Sequence, residues 1–276
     1  MLKRIVVHID KDPACQGRVE NALALARMHG AQVLGAYVNE PLFVYGYGES
    51  VLSPGLMELE RGLRTDNRRR CEENFRRWTA SSGVPAAWQE FDGRLEDKLP
   101  PYVRCSDLLV LSQADPKGHQ SLIESHQLES VIMTAGRPIV ALPYIGGKLE
   151  RIDNLLVCWN GSREAARAVA DAAPFLAKAQ EIRVLLLDRD TDLAPGEAMN
   201  GLDGYLRAHG YVEARLVSGT SRGIGMGNAI VNAATDSGSD LVVMGFYGHS
   251  RAREWMLGGA SREMLASMTV PVMFSH

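Results

Sequence analysis

The chain repeats itself, and the repeat limits what it can fold into. Ser106-Asp-Leu-Leu-Val-Leu-Ser112 returns as Ser239-Asp-Leu-Val-Val-Met-Gly245, an offset of 133 (239 − 106), and Pro138-Ile-Val returns as Pro271-Val-Met at the same offset (271 − 138). One register therefore joins the later parts of both halves. The beginnings match at an offset of 150 (154 − 4), where Arg4-Ile-Val-Val-His-Ile-Asp10 pairs with Asn154-Leu-Leu-Val-Cys-Trp-Asn160. The first half thus carries about 17 extra residues (150 − 133). They are assigned to Pro41–Met57, where Tyr45-Gly-Tyr-Gly48 and Ser53-Pro-Gly55 have the turn chemistry of an added loop. A chain of 276 residues suits two cores better than one. Pro143-Tyr-Ile-Gly-Gly147 has the breaker residues of a short linker, so the expected units are 1–146 and 147–276.

Within each half, short β-branched and leucine-rich runs alternate with helix-period segments. In the second half the spacing predicts strands at Leu155–Trp159, Ile182–Leu187, Ala214–Val217, Leu241–Gly245 and Val272–Phe274. Helices are predicted between them at Arg163–Ala177, Ala198–His209, Ala229–Ser237 and Ser261–Met268. Runs such as Leu155-Leu-Val-Cys-Trp159 are apolar on both faces, so helices must cover both faces, which calls for a parallel sheet. With right-handed crossovers the fold class is α/β: two tandem doubly wound domains, each with a five-stranded parallel sheet. Ligands of such sheets bind beyond the carboxyl ends of the strands, where strand order reverses, which points to the loops after the first and fourth strands.

Composition removes several function classes. With 46% hydrophobic and 23% charged residues and a net charge of -3, the chain is an ordinary globular one with no expected nucleic-acid partner. Cys15, Cys71, Cys105 and Cys158 are scattered, and the histidines lack ligand spacing, so neither a metal nor a disulfide framework is expected and a reducing cytoplasm fits. The first apolar run, Ile5–Ile9, meets Asp10 at once, and no stretch reaches the roughly 18 apolar residues that span a bilayer. Arg68–Arg77 alternates in sign and is expected to be a solvated helix face. The glycines of Gly219–Gly227 lack the dinucleotide fingerprint and are expected at most to line a pocket.

After the fourth strand of the second half runs Gly245-Phe-Tyr-Gly248, then Arg251 and Arg253, then Gly258-Gly259-Ala260-Ser261 at the head of a helix. Glycines let backbone amides turn inward, and a helix N-terminus carries partial positive charge, so the stretch suits a phosphate chain; a tight loop is the plainer alternative. The arginines are placed either to meet phosphates or to pair with Glu254.

The spacing G-x2-G-x9-G of Gly245, Gly248 and Gly258 resembles the universal stress protein family, as do Cys158-Trp-Asn-Gly-Ser-Arg-Glu-Ala-Ala-Arg167 and Met268-Thr-Val-Pro-Val272. The resemblance implies an adenine nucleotide alpha hydrolase-like fold holding ATP or AMP, with or without magnesium. It implies a nucleoside beside Trp159 and Asn160, the latter where the family usually has aspartate, with Leu187 and Met244 against the adenine. Backbone amides of Gly245, Tyr247, Gly248, Gly258, Gly259 and Ala260 would serve ribose and phosphates, with Arg251 in reach. Gly259 stands where the family has serine or threonine, and the nearest hydroxyl is Ser261. Losing one hydrogen bond to an anion costs about 1.5–3 kcal/mol.

The first half departs further. Its stretch Ser112–Glu124 lacks the first two glycines and adds Pro116, with Asp115 and Glu124 set to repel a triphosphate, so no family-type binding is expected there although Asp10 is kept. The resemblance also implies pairing through last strands, which a tandem chain satisfies with Ile139–Leu142 against Val272–Phe274. The function expected is a cytoplasmic, regulatory stress-response protein, with a homodimer and an unidentified protein partner as its candidate associations. The alternatives are an interaction module without nucleotide, and a slow ATPase that lacks a P-loop or a visible metal-holding acid.

Overall fold

The computed structural model describes residues 1–41, 53–114, 125–187, 195–246 and 260–276. The first half runs β1 (Arg4–Ile9), α1 (Cys15–His29), β2 (Gln32–Asn39), α2 (Pro54–Thr79), β3 (Ala86–Asp92), α3 (Leu95–Val103), β4 (Leu108–Ser112), α4 (Ser125–Ala135) and β5 (Ile139–Leu142). The second runs β6 (Asn154–Cys158), α5 (Arg163–Asp171), α6 (Ala173–Leu176), β7 (Glu181–Leu187), α7 (Pro195–Ala208), β8 (Ala214–Gly219), α8 (Met226–Asp236), β9 (Leu241–Gly245), α9 (Ala260–Ser267) and β10 (Val272–Ser275).

The alternation read from the sequence is present, with local differences. The single helix expected over Arg163–Ala177 is two, α5 and α6, because Pro174 lacks an N–H and its ring crowds the carbonyl of residue 170. Helix α8 begins at Met226 rather than Ala229, entered through Gly225 at a φ of 84°. The stretch Pro41–Met57 is not loop throughout. Ser53 caps α2 by accepting from the Leu56 amide at 3.3 Å, and Pro54 sits in the first turn, where its missing N–H costs nothing. Residues 42–52 lie outside the described residues.

All ten strands form one sheet in the order β3-β2-β1-β4-β5-β10-β9-β6-β7-β8. Pairs within each half are parallel. The halves join through antiparallel β5 and β10, with Val272 opposite Ala141, Met273 opposite Val140 and Phe274 opposite Ile139. Val140 and Met273 are repeat counterparts (273 − 140 = 133), so this register puts a pseudo-twofold axis through their pair. The strands are buried on both faces. Ile5, Val7 and Ile9 face the layer of α1, α2, α5, α6 and α7, whereas Val6 faces α3, α4, α8 and α9. No helix among the described residues is long and apolar enough to cross a membrane.

Two contacts tie the halves beside the axis. Gln113, itself buried, donates to the Leu265 carbonyl at 2.7 Å and accepts from the Tyr144 amide at 3.1 Å. Arg262 on α9 holds Glu129 on α4 with two bonds of 2.9 and 2.7 Å. These two are also repeat counterparts (262 − 129 = 133), so a position that would meet its own copy meets an opposite charge. Glu129→Arg is expected to destabilise the protein by about 1 kcal/mol, and adding Arg262→Glu to restore most of it, as read by urea denaturation.

Two histidines are packed away from water. His8 on β1 is pulled down to about 4 by burial, with Asp10 opposing and Arg18 assisting. His29, at the end of α1 and edge-on to Phe175 at 5.7 Å, is pulled down to about 4 by burial and by Lys178. Both rings are neutral when folded, and the unfolded chain protonates them near the ordinary value of 6.5. Their contribution is therefore fully present above that value and is lost as pH falls toward 4, by up to about 3 kcal/mol per ring. Denaturation midpoints should fall steeply across this window, and His29→Phe should make the fall shallower.

Candidate functional site

Strand order reverses between β1 and β4 in the first half and between β6 and β9 in the second; because β5 and β10 are antiparallel, the carboxyl ends of β1 and β4 lie along one edge of the sheet and those of β6 and β9 along the opposite edge. In the second half, Val157 lies opposite Val243 and Cys158 opposite Leu185. Continuing these registers by two residues brings Trp159 level with Gly245, and Asn160 level with Leu187. Asn160 Oδ1 accepts from the Ser162 amide at 3.0 Å, and Ser162 Oγ accepts from the Ala165 amide at 3.2 Å, which turns the chain into α5 and caps it. Asp10 makes the same turn in the first half, accepting from the Asp12 amide at 3.0 Å. Asparagine thus keeps the turn and drops the charge.

Gly245 has a packing reason to be glycine. A Cβ there would lie 2.7 Å from the Glu164 carbonyl carbon and 2.9 Å from the Ala165 nitrogen, so its absence lets the first turn of α5 settle onto the end of β9. Leu187 and Met244 are buried in the layer beneath α8 and α9. Trp159 is partly buried on the opposite layer. Ala260 and the buried Ser261 open α9. Tyr247, Gly248, Arg251, Arg253, Gly258 and Gly259 lie outside the described residues.

Two acids belong to this neighbourhood that spacing did not single out. Glu164 is buried in the first turn of α5 and accepts from Arg163 at 2.8 and 3.1 Å. Burial opposes its ionisation, yet the amide at its own position and Arg163 hold its carboxyl below the ordinary range. Glu263 on α9 accepts from the Gly227 amide at 2.9 Å, at the start of α8. A Cβ on Gly227 would lie 2.7 Å from the Glu263 carbonyl carbon, so this glycine serves the α8–α9 contact. The preference of first-turn positions for acids was the available signal for Glu164.

The first-half crevice is filled from inside the protein. Arg18 on α1 is 1% exposed and donates to the His8 carbonyl, to Ser112 Oγ and to Asp10 Oδ1, each at 2.7 Å. It therefore bridges the ends of β1 and β4. Burial penalises both charges, but Asp10 raises the arginine, and Arg18 with His8 lowers the aspartate, so both stay ionised. In the second half the counterpart of Arg18 is Ala168 (168 − 18 = 150) and that of Ser112 is Gly245 (245 − 112 = 133). The place of Arg18 was legible from helix spacing, since Cys15, Val19, Ala22 and Ala26 put position 18 on the buried face.

The universal stress protein family model matches residues 151–276. That half of the chain is a universal stress protein domain. The whole chain is similar in fold to a universal stress protein from Archaeoglobus fulgidus DSM 4304, at 13% identity over 99% of this chain and 95% of that one, with a TM-score of 0.74. It is also similar to a functionally unknown protein from Pseudomonas aeruginosa PAO1, at 11% identity over 99% and 92% of the two chains, with a TM-score of 0.56. These likenesses extend the universal stress protein fold over the first half as well. Comparison with curated proteins gave no match.

Removing the guanidinium would strand a buried carboxylate in the first half. Arg18→Ala is expected to destabilise the protein by about 3–5 kcal/mol, and Asp10→Asn in the same chain to recover part of that, as measured by thermal and urea unfolding.

Proposed function

We propose that the second half binds an adenine nucleotide, ATP or AMP, along the carboxyl edge of β6, β7 and β9, and that occupancy regulates the protein instead of fuelling efficient turnover. The observation that carries the reading is the contrast between the two switch points. One crevice is spanned by the protein's own arginine, and the other has alanine and glycine at the corresponding positions, Ala168 and Gly245. The family match to this same half supports it.

In this reading the nucleoside lies beside Trp159 and Asn160, with Leu187 and Met244 beneath it. The phosphates follow the backbone of Gly245, Tyr247 and Gly248, pass Arg251, and end on Gly258, Gly259, Ala260 and Ser261 at the start of α9, where free amides and the helix dipole favour an anion. Arg163 neutralises Glu164 at the floor of the site and lowers the repulsion that carboxylate would exert. In this reading magnesium arrives on the phosphate oxygens. The free thiols of Cys15, Cys71, Cys105 and Cys158 suit a reducing cytoplasm.

Calorimetric titration with ATP and AMP, with and without magnesium, tests the proposal beside Gly248→Asp. One site per chain, lost in the variant, is the expected result. Absence of binding at millimolar nucleotide would leave an interaction module as the better reading, and two sites per chain would contradict a closed first half.

A further inference from the structure

The second half holds a groove away from the switch point, on the sheet face that α8 covers. It has a volume of about 460 Å³ and lies between α8 and the strands β7 and β8. Leu185 and Val217 form its apolar floor, Ala229 and Ala233 line the helix wall, and Ile224 stands 45% exposed at the mouth.

The repeat explains why the groove is open. In the first half the strand register sets Val38 opposite Phe91, and in the second it sets Leu187 opposite Gly219. Strands β1 and β6 correspond at Arg4 and Asn154, and their partners Gln32 and Glu181 carry that correspondence to Val38 and Leu187. Gly219 therefore occupies the place of Phe91. The Phe91 ring packs edge-on against Tyr102 of α3, with centroids 5.0 Å apart, and the Arg4 guanidinium lies 5.6 Å over the tyrosine ring. The first half thus fills its space between third strand and third helix with its own aromatic pair and a cation. The second half has no side chain at that strand position.

The polar groups at the rim differ in what they have left to offer. Arg183 is committed, donating to the Ser237 carbonyl and, at 2.8 Å, to Glu181. Asp236 stands exposed without an ion pair among the described residues, one helical turn from the exposed amide of Asn232. A flat apolar floor with an unpaired carboxylate at the rim selects a ring that carries positive charge.

We propose that this groove is a binding site for a small aromatic amine, whose ring takes the place that Phe91 fills in the first half and whose ammonium group faces Asp236. Its volume lies within the usual range for small-molecule sites, about 300–1,000 Å³. The groove borders the proposed nucleotide edge at Leu187, which lies opposite Gly219, and amine binding there does not require nucleotide.

The test uses the full chain, isotope-labelled, titrated with tryptamine and with indole-3-propionate while amide resonances are followed. Tryptamine is expected to shift amides of β8 and α8 saturably and to bind about threefold to tenfold more tightly than the acid. Gly219→Phe, which restores the first-half side chain, is expected to weaken tryptamine by about tenfold or more. The φ of Gly219 lies outside the left-handed region, and the nearest atoms to an added Cβ are methyl groups of Leu187 at 3.0 Å and Leu185 at 3.5 Å, which must give by side-chain rotation to accept the change. Ala233→Leu fills the groove from the helix side and gives the same reading should Gly219→Phe fail to fold. Asp236→Asn should make the two probes bind alike. Absence of saturable shifts at millimolar tryptamine, or tryptamine binding unchanged in a folded filled-groove variant, would overturn the proposal.

Discussion

The antiparallel pairing of β5 with β10 is the contact on which the rest of the architecture depends. Both strands are buried and almost wholly apolar, and as separate edges each would present unpaired backbone groups beside a hydrophobic surface, a template for aggregation. Paired, they turn two five-stranded sheets into one of ten and leave β3 and β8 as its edges. The same pairing sets α4 against α9, so the contacts of Gln113 and Glu129 follow from it.

Much of this was legible in the sequence for a physical reason. Strands buried on both faces must be continuously apolar, and a repeated pattern reports a repeated fold, so two parallel sheets could be anticipated, while the pairing of last strands was implied by the family resemblance. Local details were harder to read. Periodicity carried the helix through Pro174 because apolar spacing continues across the break in hydrogen bonding. The strand ends could be placed from their registers, whereas the role of Gly245 depends on how closely α5 approaches β9, which spacing does not encode. Arg18 was passed over because arginine is expected on surfaces, although its helical position faced the core.

The two halves share a plan and differ in how they fill it. Where the first has Arg18 between its strand ends, the second has Ala168; where the first has Phe91 over its outer strands, the second has Gly219. In both places the first half carries a large side chain and the second a small one: α5 settles close onto Gly245, and an open groove remains beside Gly219. Large side chains at these positions add stability through burial and buried hydrogen bonds, and small ones leave concave surface of the kind that ligands use. Division of labour between a filled and an open copy is a natural outcome once one chain contains both.

The Glu129–Arg262 pair shows what joining the copies made possible. In a symmetric assembly of identical subunits every substitution is made twice, and a residue near the axis can only confront itself, so no single change there can produce complementary charges. A fused chain has two separate addresses for the same place. Each address can drift independently, and the seam between the halves can come to tell left from right.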